Sequence, residues 1–197
     1  MLKSTLALGM TLLAAATFAT AQGERPASPP GTSATQLGEK GPWLEITSGR
    51  PIKRGRDLWG SGATYGKTIM GGAPVWRAGA DVSTRLKTGV PLQLGGKTVP
   101  AGEYSLFIDL KGAADWTLIV SSWNAKKSGN DPQKDALWGA YSYTPDKDVA
   151  RAAMKVEKLP VSIDQLTWNF ADVTASGGKL VLMWDTVAAT VPFTTAK

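Results

Sequence analysis

From Trp43 onward the apolar residues recur with a period of two, in short runs separated by Gly, Pro, Asn and Asp. Two is the side-chain period of an extended strand, so each run presents one apolar face, and the separating residues are those that turn a chain. Leu92 and Leu94 on one side and Val99 on the other flank Gly95-Gly96, a pair that suits a tight hairpin because glycine adopts positive φ without steric cost. Tyr104, Leu106, Ile108 and Leu110 share a face, with Ser105, Phe107 and Asp109 opposite. Trp116, Leu118 and Val120 alternate with polar or smaller neighbours, as do Leu166, Trp168 and Phe170. After Gly177-Gly178 come Leu180, Leu182 and Trp184, and then Val187, Ala189, Val191 and Phe193. Asp146 to Glu157 fits a helix about as well as a strand, and reads as a short turn followed by a strand. With no long helical pattern between the runs, the sequence predicts an all-β fold: an antiparallel, jelly-roll-like β-sandwich in a single domain.

The N-terminus has a different grammar. Met1-Leu2-Lys3 is a short positive start, Leu6 to Ala16 is apolar, and Ala19-Thr20-Ala21 places small residues before Gln22. This three-part pattern predicts a signal peptide over residues 1–21, cleaved on export to the periplasm or the medium of a bacterium. The apolar run is short for ~30 Å of hydrocarbon, and no later stretch is apolar enough to span a bilayer. Residues 22–42 hold Pro26, Pro29, Pro30 and Pro42 among Ser, Thr, Gly and Ala, which predicts a flexible linker before a β-sandwich domain over 43–197.

The chain has neither His nor Cys. That excludes a Ser-His-Asp triad, a His-ligated metal, a thiolate nucleophile, an iron–sulfur cluster and any disulfide. A fold of this kind must rest on its core, which the 43% apolar content permits. Neither cofactor nor metal is expected. Ser128-Gly129-Asn130-Asp131 has oxygen donors but no known cation-loop spacing, and reads as a surface turn. The 22 Lys and Arg against 16 Asp and Glu give a net charge of +6. No nucleic-acid motif accompanies that charge, so nucleic acid is not the expected partner; any attraction to acidic surface polymers would be unspecific.

Candidate chemistry is sparse. Arg50, Lys53, Arg54 and Arg56 form a basic cluster that suits an anion such as phosphate, sulfate or a sugar acid; a solvated basic edge is the favoured account. Arg77 and Asp81 lie on the polar face of an extended reading of Val75–Thr84, roughly 13 Å apart along a straight strand, and meet only if the chain bends at Gly79. They would orient a polar ligand or pin neighbouring strands, two readings of equal weight. Trp59, Trp123 and Trp138 fall in loops, as a sugar-stacking platform or, preferably, as packing. Asp57, Asp81 and Glu103 are the carboxylates to consider for a glycosidase-type pair.

Taken in order, Ser48-Gly49-Arg50-Pro51, Arg54-Gly55-Arg56, Tyr65-Gly66-Lys67, Trp76-Arg77-Ala78-Gly79-Ala80-Asp81, Pro100-Ala101-Gly102-Glu103-Tyr104-Ser105-Leu106-Phe107, Trp138-Gly139-Ala140-Tyr141 and Val191-Pro192-Phe193 resemble a bacterial family of exported proteins that is a domain of unknown function. The resemblance implies an exported all-β domain and carries no activity. Two departures stand out: Thr68 to Pro74 is a Gly-rich insertion ahead of the Trp-Arg motif, and Asp81 stands where the family tends to have Asn. The preferred expectation is non-catalytic binding of a polar small molecule or envelope glycan. Arg77 and Asp81 would orient it, aided by Arg54, Arg56, Tyr65, Trp138 and Arg151. A carboxylate-dependent hydrolase with Asp81 or Asp57 as base, and a structural envelope protein, are the alternatives.

Overall fold

The computed structural model describes residues 26–196. The leader read over residues 1–21 and the start of the linker lie outside the described residues. The strands are β1 (Pro30–Gln36), β2 (Trp43–Gly49), β3 (Ala80–Thr88), β4 (Leu92–Leu94), β5 (Lys97–Val99), β6 (Gly102–Gly112), β7 (Asp115–Ser121), β8 (Asn124–Ala125), β9 (Ala136–Leu137), β10 (Asp148–Thr174) and β11 (Gly177–Thr195). One short helix, α1 (Lys67–Met70), lies in the loop between β2 and β3.

Nine strands form one hydrogen-bonded antiparallel sheet in the order β1-β2-β3-β6-β7-β10-β11-β4-β5; β8 and β9 make a small parallel pair. The sheet becomes a sandwich because β10 changes partners. It pairs with β7 from Asp148 to Met154 and with β11 from Lys155 onward, with irregularities between Lys158 and Ile163 and between Ile163 and Thr167. Such interruptions bend a strand and increase its twist. The second half of β10 thereby swings across to β1 and β2. Ser33 Oγ donates to the Trp168 carbonyl at 2.5 Å, and Arg50 Nε donates to the Leu166 carbonyl at 3.2 Å. The alternating residues Leu44, Ile46, Leu86, Leu106, Leu118 and Leu182 fill the interior, each essentially without exposure. The Asp146–Glu157 segment is a turn at Pro145–Lys147 followed by β10, as its pattern suggests.

The linker expectation is corrected at its C-terminal part. Pro30–Gln36 is an edge strand in full register with β2, from Pro30 opposite Gly49 to Gln36 opposite Trp43. Leu37 then turns inward at 2% exposure. Composition misses this strand because it is held by its backbone ladder and one apolar anchor, not by an apolar face. Pro30 sits at the first position, where a missing N–H is tolerated.

Of the three loop tryptophans Trp59 is interior, whereas Trp123 and Trp138 are half-buried. Trp59 packs within 5.0 Å of Trp116 and 5.9 Å of Trp76, ring centre to ring centre, and Trp76 stacks on Trp184 at 6.1 Å. Trp116 Nε1 donates to Tyr65 Oη and Trp184 Nε1 to the Asp164 carbonyl, both at 3.1 Å. Phe107 and Ile119, on the face of β6 and β7 that alternation leaves outward, are buried by Val75, Leu137, Ala140 and Tyr143. Both faces of these strands are therefore covered.

Backbone amides of residues 30–36 that bond to β2 are expected to exchange hydrogen over minutes or longer. Exchange of the whole segment within seconds, followed by mass spectrometry, would restore the linker reading.

Candidate functional site

The row of β6 partners contains a detour. Thr84 lies opposite Leu106, but it is Trp76, not Val82, that bridges Ile108, through two backbone hydrogen bonds of 2.8 Å. The chain from Arg77 to Ser83 leaves the β6 row while Ala80 stays paired with Gly49 of β2, with left-handed φ at Ala78 (52°) and Asp81 (60°). The bend expected at Gly79 thus falls on its neighbours. Gly79 serves close packing instead, since a Cβ there would lie 2.8 Å from Thr84 Oγ1. The loop carries Arg77 and Asp81 to one end of the sandwich. There Arg77 Nη1 donates to the Asp81 backbone carbonyl at 2.8 Å, so the two are joined but not as a side-chain ion pair.

Arg77 is steered from beneath by the Trp138–Tyr141 segment. Its guanidinium lies 5.3 Å from the Tyr141 ring centre and directly over Gly139, where a Cβ would come within 2.6 Å of Arg77 Cζ. Tyr141 Oη in turn donates to the Gly71 carbonyl at 3.1 Å, which ties the 68–74 insertion to the same support.

Arg54 and Arg56 approach from the loop after β2. Arg54 adopts φ of 51° and is exposed. Arg56 Nε donates to the Lys53 carbonyl at 2.9 Å and its Nη2 to the Ile52 carbonyl at 2.7 Å. The loop is clamped by Lys53, whose Nζ lies 2.5 Å from Asp185 Oδ1, an oxygen that also accepts from Ser162 Oγ at 2.9 Å. Burial pushes the Asp185 carboxyl up, but the hydrogen bonds from Lys53 and Ser162 and the Lys53 charge outweigh it, and the net shift is downward.

Arg54, Arg56, Arg77 and Asp81 together line an open cleft of about 500 Å³ whose lining includes Trp76 and Trp184. Ser28, ahead of β1, and Ile69, in α1, form part of its walls. Among the described residues, the Asp81 carboxylate has neither a hydrogen bond nor an ion pair, and none of the three guanidiniums has a carboxylate partner.

Other candidates lie elsewhere. Tyr65 is under the tryptophan cluster as the acceptor from Trp116, and burial raises its pKa. Trp138 is half-buried, beside Gly129. Arg151 is held by Asp109 at 3.0 Å and Asp148 at 2.8 Å, and also donates to Tyr143 Oη, tying β6 to β10 across the outer face. Arg50 is engaged with β10, so the basic cluster is not a uniform solvated edge. Of the carboxylates considered for a hydrolytic pair, Asp57 caps the backbone N–H groups of Trp59 and Gly60, and Glu103 sits 4.0 Å from Arg85 and Lys87. Asp131 accepts from the N–H groups of Lys127 and Gln133, which lower its pKa and make the 128–131 segment a turn. Among the described residues no group of three or more acidic side chains is placed to hold a metal ion. Sequence reasoning missed Gly139 and Tyr141 as the support of Arg77, and Ser28 and Ile69 as walls. The glycine in Trp138-Gly139-Ala140-Tyr141 is the one signal that could have pointed to the first pair.

Fold and site define a single-domain, mostly antiparallel β protein with an arginine-lined cleft at one end of the sheet. The family model described as "Protein of unknown function (DUF2911)" matches residues 28–193, and the chain belongs to that family. No curated protein and no solved structure matches it.

Gly139→Ala is expected to lower stability by about 1–3 kcal/mol, chiefly because it puts a Cβ at left-handed φ, and to displace the end of the Arg77 side chain. Gly96→Ala has similar φ but open space around it, so any excess loss of urea midpoint in Gly139→Ala reads the Arg77 contact. The Lys53–Asp185 pair has a pH signature. Because the folded pKa of Asp185 lies below the ordinary 3.8, its contribution to stability is complete above that value and is lost as pH falls through it toward the folded pKa. Lys53→Met should cost about 1–3 kcal/mol at neutral pH, with the gap from wild type closing in urea titrations below the usual aspartate range.

Proposed function

We propose that this chain is a non-catalytic binding protein for a polar small molecule or cell-envelope glycan, acting in the periplasm or outside the cell. One observation carries the reading: Arg54, Arg56, Arg77 and Asp81, drawn from two separate segments, share an open cleft in which the Asp81 carboxylate has no partner among the described residues. The volume lies within the range of small-molecule sites. Left-handed φ at Arg54 supports the same reading, because strained backbone clusters where a site is pre-formed. Hydrolysis is the weaker account. A glycosidase-type mechanism needs two carboxylates flanking the bond, and Asp81 is the one carboxylate among the described residues that line the cleft. The three-part leader pattern at residues 1–21 supports export, and no helix among the described residues is long and apolar enough to cross a membrane.

Titration of the exported chain with neutral and acidic mono- and oligosaccharides, followed by intrinsic tryptophan fluorescence, is expected to give a saturable change, because Trp76 and Trp184 border the cleft. Arg77→Gln should weaken the responding ligand by roughly tenfold, the scale of one charge-assisted hydrogen bond. A panel with no saturable response overturns the proposal.

A further inference from the structure

We infer that the ligand of this cleft is a hydroxylated anion, a carboxylate or phosphate on a polyol frame such as a sugar acid or sugar phosphate, with Arg54, Arg56 and Arg77 taking the anionic group and Asp81 a hydroxyl. The inference rests on the binding reading and narrows it to a chemical class.

Charge is the first argument. Three guanidiniums and one carboxylate line the cleft, and Lys53, between the lining residues Ile52 and Arg54, is already neutralised by Asp185. The cleft is electropositive on balance, and a neutral sugar would leave that charge unanswered.

The manner in which the arginines are held is the second. Arginines that serve folding here have their charge neutralised or their donors spent across strands: Arg151 lies between Asp109 and Asp148, and Arg50 reaches the Leu166 carbonyl and Thr167 Oγ1 of β10. Arg56 and Arg77 are held differently. Their anchors are the backbone carbonyls of Ile52, Lys53 and Asp81, and Arg77 also has the Tyr141 ring. Carbonyls orient a guanidinium and leave its charge uncompensated. Each guanidinium has five N–H donors, and these bonds engage two on Arg56 and one on Arg77, so both retain donors for a bidentate oxyanion. The orientation is set before the anion arrives, which lowers the cost of binding it.

The lining is the third. Trp76 and Trp184 are 1% and 2% exposed and stacked on each other, so the cleft offers no open indole face. A ligand recognised by ring stacking is poorly served, whereas a compact anion is well served. Asp81 then supplies a pure acceptor at the same cleft, which matches hydroxyl donors on the ligand frame and disfavours a bare anion.

Calorimetric titration of the exported chain with matched pairs tests this: glucose against glucuronate, galactose against galacturonate, and glucose against glucose 6-phosphate, with inorganic phosphate and sulfate alongside. The charged member of at least one pair should bind roughly tenfold or more tightly than its neutral partner, and the difference should shrink with added salt. Arg54→Gln breaks no hydrogen bond within the described residues, so it leaves the fold intact and should lower that preference several-fold. Preference confined to the uronates assigns a sugar acid, and preference confined to the phosphate pair assigns a sugar phosphate. Neutral sugars binding as tightly as their acids overturn the inference while the binding proposal stands. Inorganic phosphate or sulfate binding as tightly as any sugar anion makes the cleft a bare anion site and overturns the hydroxylated frame. Failure of every ligand overturns both proposals.

Discussion

The carbonyl of Ala78 accepts two hydrogen bonds that come from the two halves of the sandwich. Trp168 Nε1, on the part of β10 that has swung across, donates at 2.9 Å, and Thr84 Oγ1, on β3, donates at 3.0 Å. Ala78 is fully buried and in left-handed φ, a conformation that an alanine does not choose on its own. The two buried donors over-determine it. Without them the detour from Arg77 to Ser83 would have little reason to leave the regular row beside β6, and Arg77 and Asp81 would return toward the extended geometry in which they cannot meet. The bend in β10 is the precondition, because it brings Trp168 to the loop. The cleft is thus a consequence of how the sheet closes, not a feature added at its rim.

The same dependence explains why two arginines of similar sequence appearance end in different roles. Arg151 points outward from β10 over β7, where Asp109 of β6 and Asp148 of its own strand lie within reach. Sheet geometry makes that ion pair nearly unavoidable. Arg77 belongs to a loop whose surroundings are carbonyls, a glycine and a phenol. In that setting a guanidinium gains orientation without neutralisation. Partly buried charges of this kind are costly to fold around, and the protein limits the cost by leaving the cleft open to water.

The strands were legible because one face of each is apolar, and a one-residue slip would expose that whole face. β1 was not legible, because Thr32, Ala34 and Gln36 carry no such pattern and the strand depends on the ladder to β2. Phe107 was placed outward by alternation and is buried because the 73–75 and 137–143 segments fold over it, a tertiary event that no local period records. For the site, residue types were informative: Arg54, Arg56, Arg77 and Asp81 stood out as charges beside glycines and tryptophans. Their convergence was not readable, because it turns on positive φ at Ala78, which sequence gives no reason to expect. Tyr65 and Arg151 looked equally suitable and are engaged elsewhere by Trp116 and by two aspartates.

Position 81 joins backbone and chemistry most closely. Its φ of 60° favours Gly, Asn or Asp, whose short polar side chains tolerate the left-handed region. An exchange of Asp81 for Asn is therefore nearly neutral for the backbone. It is not neutral for the cleft. Asn would offer a donor and an acceptor beside the arginines, whereas Asp81 offers acceptors only and removes one unit of positive charge. The fold thus confines the choice of residue to a small set, and within that set this chain has the member that most changes what the arginines can bind.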